Sequence, residues 1–162
     1  MKTAIIPGSF DPITVGHLDI IQRASHLFDR VIVLVIQNRN KGQGMFDITE
    51  RATLIEKSIA NLENVEVNCW RGLLVDAARK YNADAIIKGV RALTNLEYEL
   101  AQASANKQLN PNVETVFMPT RTAFSFISSS MVREVVSYGG NIDKFVPSVI
   151  IDDVNKHKPK SV

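Results

Sequence analysis

One cysteine, Cys69, is all the chain has, so no disulfide can close within it, as suits a reducing compartment. Cys69 lies in the alternating run Val65-Glu66-Val67-Asn68-Cys69-Trp70, where a small buried hydrophobe on a strand is expected. No apolar stretch approaches the roughly 18 residues that suggest a membrane span. The first residues lack the long apolar region of a signal peptide, so a cytoplasmic protein without a membrane partner is expected. Neither sign of charge is in excess, with 19 basic and 17 acidic residues for a net charge of +2. The basic cluster Lys156-His157-Lys158-Pro159-Lys160 reads as a solvated terminus, and no nucleic-acid partner is expected. Gly-x-x-x-x-Gly-Lys-Ser/Thr is missing, which excludes a Walker-type nucleoside triphosphatase, and the lack of Gly-x-Gly-x-x-Gly argues against a dinucleotide dehydrogenase. Histidines and cysteines have no zinc spacing, and acidic residues do not gather into a two-metal pattern, so no protein-held metal site is expected.

What the chain does have is regular alternation. Apolar runs at Lys2 to Ile6, Val31 to Ile36, Asn64 to Trp70, Asp84 to Lys88 and Val113 to Met118 predict five strands. The continuous, mostly β-branched run Val31 to Ile36 has the composition of a strand buried on both faces. Between them lie helical patterns at Gly16 to Phe28, Asp47 to about Asn61, Leu73 to Lys80 and Leu93 to Gln108. Leu18, Ile21, Ala24, Leu27 and Phe28 share one face of the first; Leu96, Leu100 and Ala103 share one side of the last. Asp47 and Glu50 form a capping-box pattern. Ser128 to Ser130 cap a helix reaching about Tyr138, and Pro147 opens a final one. The expected fold is α/β and Rossmann-like: a five-stranded parallel sheet with helices on both faces, in one domain spanning residues 1–162.

In such sheets ligands bind beyond the carboxyl ends of the strands. The residues found there form a set. The first strand leads into Pro7-Gly8-Ser9-Phe10-Asp11-Pro12-Ile13-Thr14-Val15-Gly16-His17, a glycine loop running into a helix start, where free N–H groups favour an anion. Lys41 follows the second strand in the polar loop Asn38 to Gly44, and Leu73 and Leu74 follow the third. Lys88, Gly89 and Arg91 follow the fourth; Arg121 and then Ser125 to Ser130 follow the fifth. Each has a plain structural alternative. His17 could face solvent and Lys41 be a solvated charge. Arg91 could pair with Glu97 or Glu99, the serines could only cap a helix, and Leu73 and Leu74 would be core. Their convergence on one sheet edge favours a nucleotide site in which His17 meets phosphates.

Four motifs also carry a resemblance. Thr14-Val15-Gly16-His17 and Ile127-Ser128-Ser129-Ser130-Met131-Val132-Arg133 resemble the paired motifs of the nucleotidyltransferase superfamily that includes class I aminoacyl-tRNA synthetases. With Pro7 to Pro12, Lys88-Gly89-Val90-Arg91, Glu97-Tyr98-Glu99 and Phe124 to Ser130, the chain resembles bacterial phosphopantetheine adenylyltransferases from about residue 3 to 150. That resemblance implies transfer of AMP from ATP to 4′-phosphopantetheine, yielding dephospho-CoA and pyrophosphate. It implies Mg2+, a homohexamer, and feedback by dephospho-CoA or CoA. It places Ser9, Phe10, His17, Gly89, Val90, Arg91, Glu99 and Phe124, Ser125, Phe126, Ile127, Ser128, Ser129 and Ser130 at ATP. Ser9, Lys41, Leu74 and Lys88 fall at phosphopantetheine. His17, Lys41, Arg91 and Ser129 are the catalytic candidates. Two positions depart from the family: Ser9 where threonine is frequent, and Lys88 where arginine is expected, which keeps the charge but loses the bidentate fork. Nicotinate-mononucleotide adenylyltransferases and glycerol-3-phosphate cytidylyltransferases share the Gly-His logic, but usually carry histidine where this chain has Thr14.

Overall fold

Parallel neighbours cannot be joined by tight turns, so each pair of strands needs a long crossover. The computed structural model, which describes residues 1–37, 42 and 44–160, alternates accordingly. Its elements are β1 (Thr3–Gly8), α1 (Val15–Leu27), β2 (Arg30–Ile36), α2 (Ile48–Ser58), β3 (Val65–Trp70), α3 (Leu74–Tyr81), β4 (Ala85–Val90), α4 (Leu96–Leu109), β5 (Glu114–Pro119), α5 (Ser129–Ser137) and α6 (Ile151–Asn155). The strands form one parallel sheet in the order β3-β2-β1-β4-β5.

Side chains alternate across a strand, which divides the core in two. Ala4, Ile6, Val31, Val33, Val35 and Ile87 face one side, where Ile20 and Ile21 of α1, Ile55 of α2 and Val132 and Val136 of α5 cover them. Ile5, Ile32, Leu34 and Ile86 face the other, against Ala77 and Ala78 of α3. β2 is fully buried from Val31 to Val35, as its β-branched composition predicts. The order reverses between β1 and β4, whose carboxyl ends diverge to leave a crevice between their two loops.

Several expectations are corrected. Cys69 is exposed, because β3 is an edge strand and the residue lies level with Ile48, where α2 only begins; its Sγ is 3.7 Å from the Ile48 carbonyl. β4 runs through Gly89 to Val90, and a Cβ at Gly89 would come within 3.3 Å of Ile20, so glycine lets α1 lie close to the strand. α4 starts at Leu96, capped by Asn95, whose side chain accepts the Tyr98 N–H; Leu93 lies outside it and is exposed. No residue of α4 is buried, and Leu96 and Leu100 of the predicted apolar side remain half exposed. The helix sits beside edge strand β5, which offers too little sheet to cover it. Leu27, at the last position of α1, and Leu73, just before α3, are likewise exposed rather than core, while Leu74 is half-buried. Pro147 precedes a 3-10 turn over residues 148–150, and α6 follows that turn. No helix among the described residues is long and apolar enough to cross a membrane.

Candidate active site

The loop between β1 and α1 is fixed from both ends. Phe10 has a left-handed backbone, with φ of 48°, and its ring folds back over Gly8, where any Cβ would meet the ring at 2.9 Å. The same ring packs edge-on against His17, with centroids 5.0 Å apart. Thr14 caps α1, its hydroxyl accepting the His17 N–H at 3.3 Å. The capping box is completed by His17 itself: Nδ1 accepts the Thr14 backbone N–H at 3.0 Å, a role usually filled by glutamate or glutamine. That bond occupies the Nδ1 lone pair, so the network assigns the ring proton of the neutral imidazole to Nε2. Enclosure by protein pushes the His17 pKa from its ordinary 6.5 to about 4, and the nearby Arg91 charge adds to the fall. At neutral pH His17 is therefore an uncharged Nε2–H donor held at the start of a helix.

His17 looks into a cavity of about 170 Å³, lined among others by Gly8, Phe10, Lys88, Gly89, Arg91, Glu99, Thr120 and Ile127. Across it, Lys88 Nζ lies 3.2 Å from Glu99 Oε2, both side chains about one-fifth exposed. The approach is an ion pair without hydrogen-bond alignment, so that buried oxygen still lacks a hydrogen-bond donor. Glu99 thus partners Lys88, and Arg91 forms no ion pair with a carboxylate among the described residues. Its backbone is instead fixed by the Thr94 hydroxyl, which accepts the Arg91 N–H at 3.0 Å. Arg121 points elsewhere: with Arg23 it clasps Asp19 of α1, each at 3.1 Å.

Phe10, His17, Arg91, Glu99 and Ile127 also line a wider open cleft of about 1170 Å³. It is lined further by Ser128, Ser129, Ser130 and Arg133 of the α5 start, by Gly42, Gly44, Asp47 and Ile48 ahead of and at the start of α2, and by Ser9, Arg51 and Arg71. The Ser128 hydroxyl accepts the Met131 N–H as the α5 cap, and the Ser129 hydroxyl donates to the Pro12 carbonyl at 2.7 Å. Ser130 accepts from Arg133 at 3.2 Å. The three hydroxyls therefore have protein partners. The N–H groups of Ser129 and Ser130, in the first turn, have no intrahelical acceptor and are the natural anion contacts.

Of the residues singled out in the sequence, the fold brings together Ser9, Phe10, His17, Lys88, Gly89, Arg91, Glu99, Ile127 and Ser128 to Ser130. Val90, Phe124, Ser125, Phe126 and Leu74 line neither space; Val90 accepts the Thr120 N–H and Phe126 is largely exposed. Lys41, with Asn38, Arg39, Asn40 and Gln43 of its loop, lies outside the described residues. Several lining residues carried no site signal of their own in the sequence, Arg133, Arg71, Asp11 and Thr120 among them. Arg133 sits one turn after Ser129 and Ser130, the spacing that brings helical side chains together. Arg71 directly follows β3 and meets the same strand-end criterion that picked out Leu73 and Leu74. Asp11 was visible only as part of a motif, and Thr120 had no signal. Among the described residues no three His, Cys, Asp or Glu side chains are placed to hold a metal ion.

The cytidylyltransferase-like family model matches residues 5–135. Phosphopantetheine adenylyltransferase of Alkaliphilus metalliredigens is 51% identical over 156 residues, covering 96% of this chain and 99% of that protein. The enzyme of the same name from Staphylococcus haemolyticus is 54% identical over 144 residues, 89% of each chain. Among solved structures, a bifunctional NMN adenylyltransferase/ADP ribose pyrophosphatase from Francisella tularensis superposes with a TM-score of 0.72 at 17% identity, over 96% of this chain and 49% of that one. A protein described as a nicotinate-nucleotide adenylyltransferase from Vibrio parahaemolyticus gives 0.70 at 20% identity over 98% of both. These structural likenesses establish the Rossmann-like fold. The sequence relatives go further: the chain belongs to the cytidylyltransferase-like family and, within it, to the phosphopantetheine adenylyltransferases, and is therefore a nucleotidyltransferase.

Proposed function

We propose that this chain transfers the adenylyl group of ATP to 4′-phosphopantetheine, releasing pyrophosphate and forming dephospho-CoA, the penultimate step of coenzyme A synthesis. The observation that carries the mechanism is the fixed, neutral Nε2–H of His17 in a cavity shared with Lys88 and Arg91. A phosphate oxygen of the acceptor attacks the α-phosphorus of ATP, a P–O bond forms, and the bond to the β-phosphate oxygen breaks in line with it. With a second pKa of about 6, the acceptor phosphate is largely dianionic at neutral pH and has no proton to lose. His17 suits that need: Nδ1 is occupied and Nε2 is protonated, so the ring acts as a hydrogen-bond donor to charge developing on the transferred group rather than as a base. Holding both substrates in line can supply on the order of 7–11 kcal/mol of the barrier.

Arg91 and the first turn of α5 take the β- and γ-phosphates in this reading, and Glu99 offers Oε2, which receives no hydrogen bond, to an ATP hydroxyl or amine. Ser9, Lys41, Leu74 and Lys88 are assigned to the acceptor. Magnesium accompanies the nucleotide: the described residues gather no carboxylate set to cage it, so phosphate oxygens and water would hold it. The unburied α4, with Leu96, Leu100 and Leu109 about half exposed, is the surface a second copy would cover in a homohexamer. Feedback by CoA or dephospho-CoA and a cytoplasmic setting complete the proposal. The test is pyrophosphate release from ATP with three acceptors. Release with 4′-phosphopantetheine but not with nicotinate mononucleotide or glycerol 3-phosphate is expected. ATP binding without release would reduce the chain to a nucleotide sensor.

A further inference from the structure

We infer that Asp11 is a positioning residue: its carboxylate latches the 44–46 segment, which borders the acceptor side of the cleft, to the nucleotide-binding loop. The inference rests on the adenylyl-transfer reading for which side takes the acceptor. Asp11 is 5% exposed. Its Oδ2 accepts the backbone N–H of Met45 and its Oδ1 that of Phe46, both at 2.9 Å. Arg51 closes the same corner, with Nε donating to the Phe46 carbonyl at 2.8 Å and standing 3.5 Å from Asp11 Oδ1. From the other side, an Arg133 guanidinium nitrogen donates to the Asp11 carbonyl at 2.7 Å, while its partner nitrogen reaches Ser130.

Asp11 therefore joins three segments that border the cleft: its carboxylate holds the 44–46 segment to the β1–α1 loop, and its backbone carbonyl receives Arg133 of α5, whose guanidinium also stands 3.9 Å from Oδ2. The fit is close on the loop side. Gly44 has φ of 72°, and a Cβ there would overlap Asp11 Oδ2 and the Arg51 guanidinium. The chain passes so near the carboxylate that only glycine fits. Asp11 is at once the acceptor of two loop N–H groups and the counter-ion between two arginines. Its loss would leave buried donors unpaired and the arginines without their shared partner. Gly42, Gly44 and Asp47 form the adjoining wall of the cleft, so that wall would retreat from the phosphates gathered at His17 and Arg91.

Asp11→Asn preserves shape and one N–H acceptor but removes the charge. It is expected to raise the KM for 4′-phosphopantetheine about tenfold or more while the Kd of a non-hydrolysable ATP analogue stays within about twofold. Gly44→Ala, at an exposed position, should give the same split, and the double variant should lose less than the two single losses combined. Hydrogen exchange gives a readout independent of turnover: the Met45 and Phe46 amides should exchange about tenfold faster in Asp11→Asn, with α1 amides unchanged. If Asp11→Asn does not fold, Gly44→Ala decides alone. Unchanged acceptor KM in both variants, or parallel loss of ATP and acceptor binding, overturns the latch. If the unaltered protein releases no pyrophosphate with this acceptor, the functional reading falls, and the amide exchange still judges the contact.

Discussion

Two strand-to-helix connections meet at the site, and they are built differently. The β1–α1 connection leads into a helix that buries Gly16, Asp19, Ile20, Ile21 and Ala24. Its cap bonds are complete, and its histidine, His17, is held in one tautomer. The β4–α4 connection leads into a helix with no buried residue, and its polar groups meet in a loosely aligned Lys88–Glu99 ion pair whose Oε2 receives no hydrogen bond. A donor that must hold one position through the reaction gains from the buried side. Groups that exchange an internal partner for a ligand belong on the less buried one, where moving disturbs little packing.

Removing the anchor of the rigid side should have the largest consequence. His17→Ala is expected to lower kcat by about 10²-fold or more, with ATP-analogue affinity changed only a few-fold, because the bond it makes strengthens in the transition state. Steady-state rates beside calorimetric binding would separate the two; near-normal turnover would remove the contrast. Arg91→Ala bridges the two sides. It should weaken ATP binding about tenfold by removing the proposed charge-assisted phosphate contact. It should also let the His17 pKa rise part of the way back toward 6.5, since the Arg91 charge helps to depress it. Thr14→Ala removes the hydroxyl cap of α1 and should cost about 1 kcal/mol of stability, read as a lower Tm. A loss of kcat accompanying it would show that the cap also steadies His17. Lys88→Arg should change kcat/KM least, within about threefold, because the pair with Glu99 demands charge rather than exact shape. A large loss there would mean the β4–α4 side is as tightly specified as the other.

Sequence patterns revealed the two connections unequally, for the same reason. β2 was legible because its β-branched run reports burial that the fold realises, and α1 largely so: Ile21 and Ala24 of its predicted face are buried and Leu18 and Phe28 pack against the core, while Leu27 is exposed. The Thr14–His17 contact follows from a capping pattern once His17 is allowed the place of glutamate. α4 misled: Leu96 and Leu100 have core spacing, yet the chain's own sheet ends beside them. Cys69 misled similarly, since alternation marks a strand but not whether it lies at an edge. Arg133 and Asp11 were hidden because their roles depend on segments 122 residues apart in the chain. A motif singled out Glu99, which lines the cavity, but its partner Lys88 rather than Arg91 emerged only from the geometry.

In the proposed reaction His17 is a neutral donor throughout the working range and never the base. Its depressed pKa means that the stability linked to it is fully present above pH 6.5 and is lost as pH falls through about 4. Nitrogen-15 chemical shifts of the His17 ring, followed from pH 5.5 to 8 with and without a non-hydrolysable ATP analogue, test the claim directly. The account predicts a protonated Nε2, an unprotonated Nδ1 and no titration across that range. A ring that titrates near 6.5, or one that carries its proton on Nδ1, would contradict it.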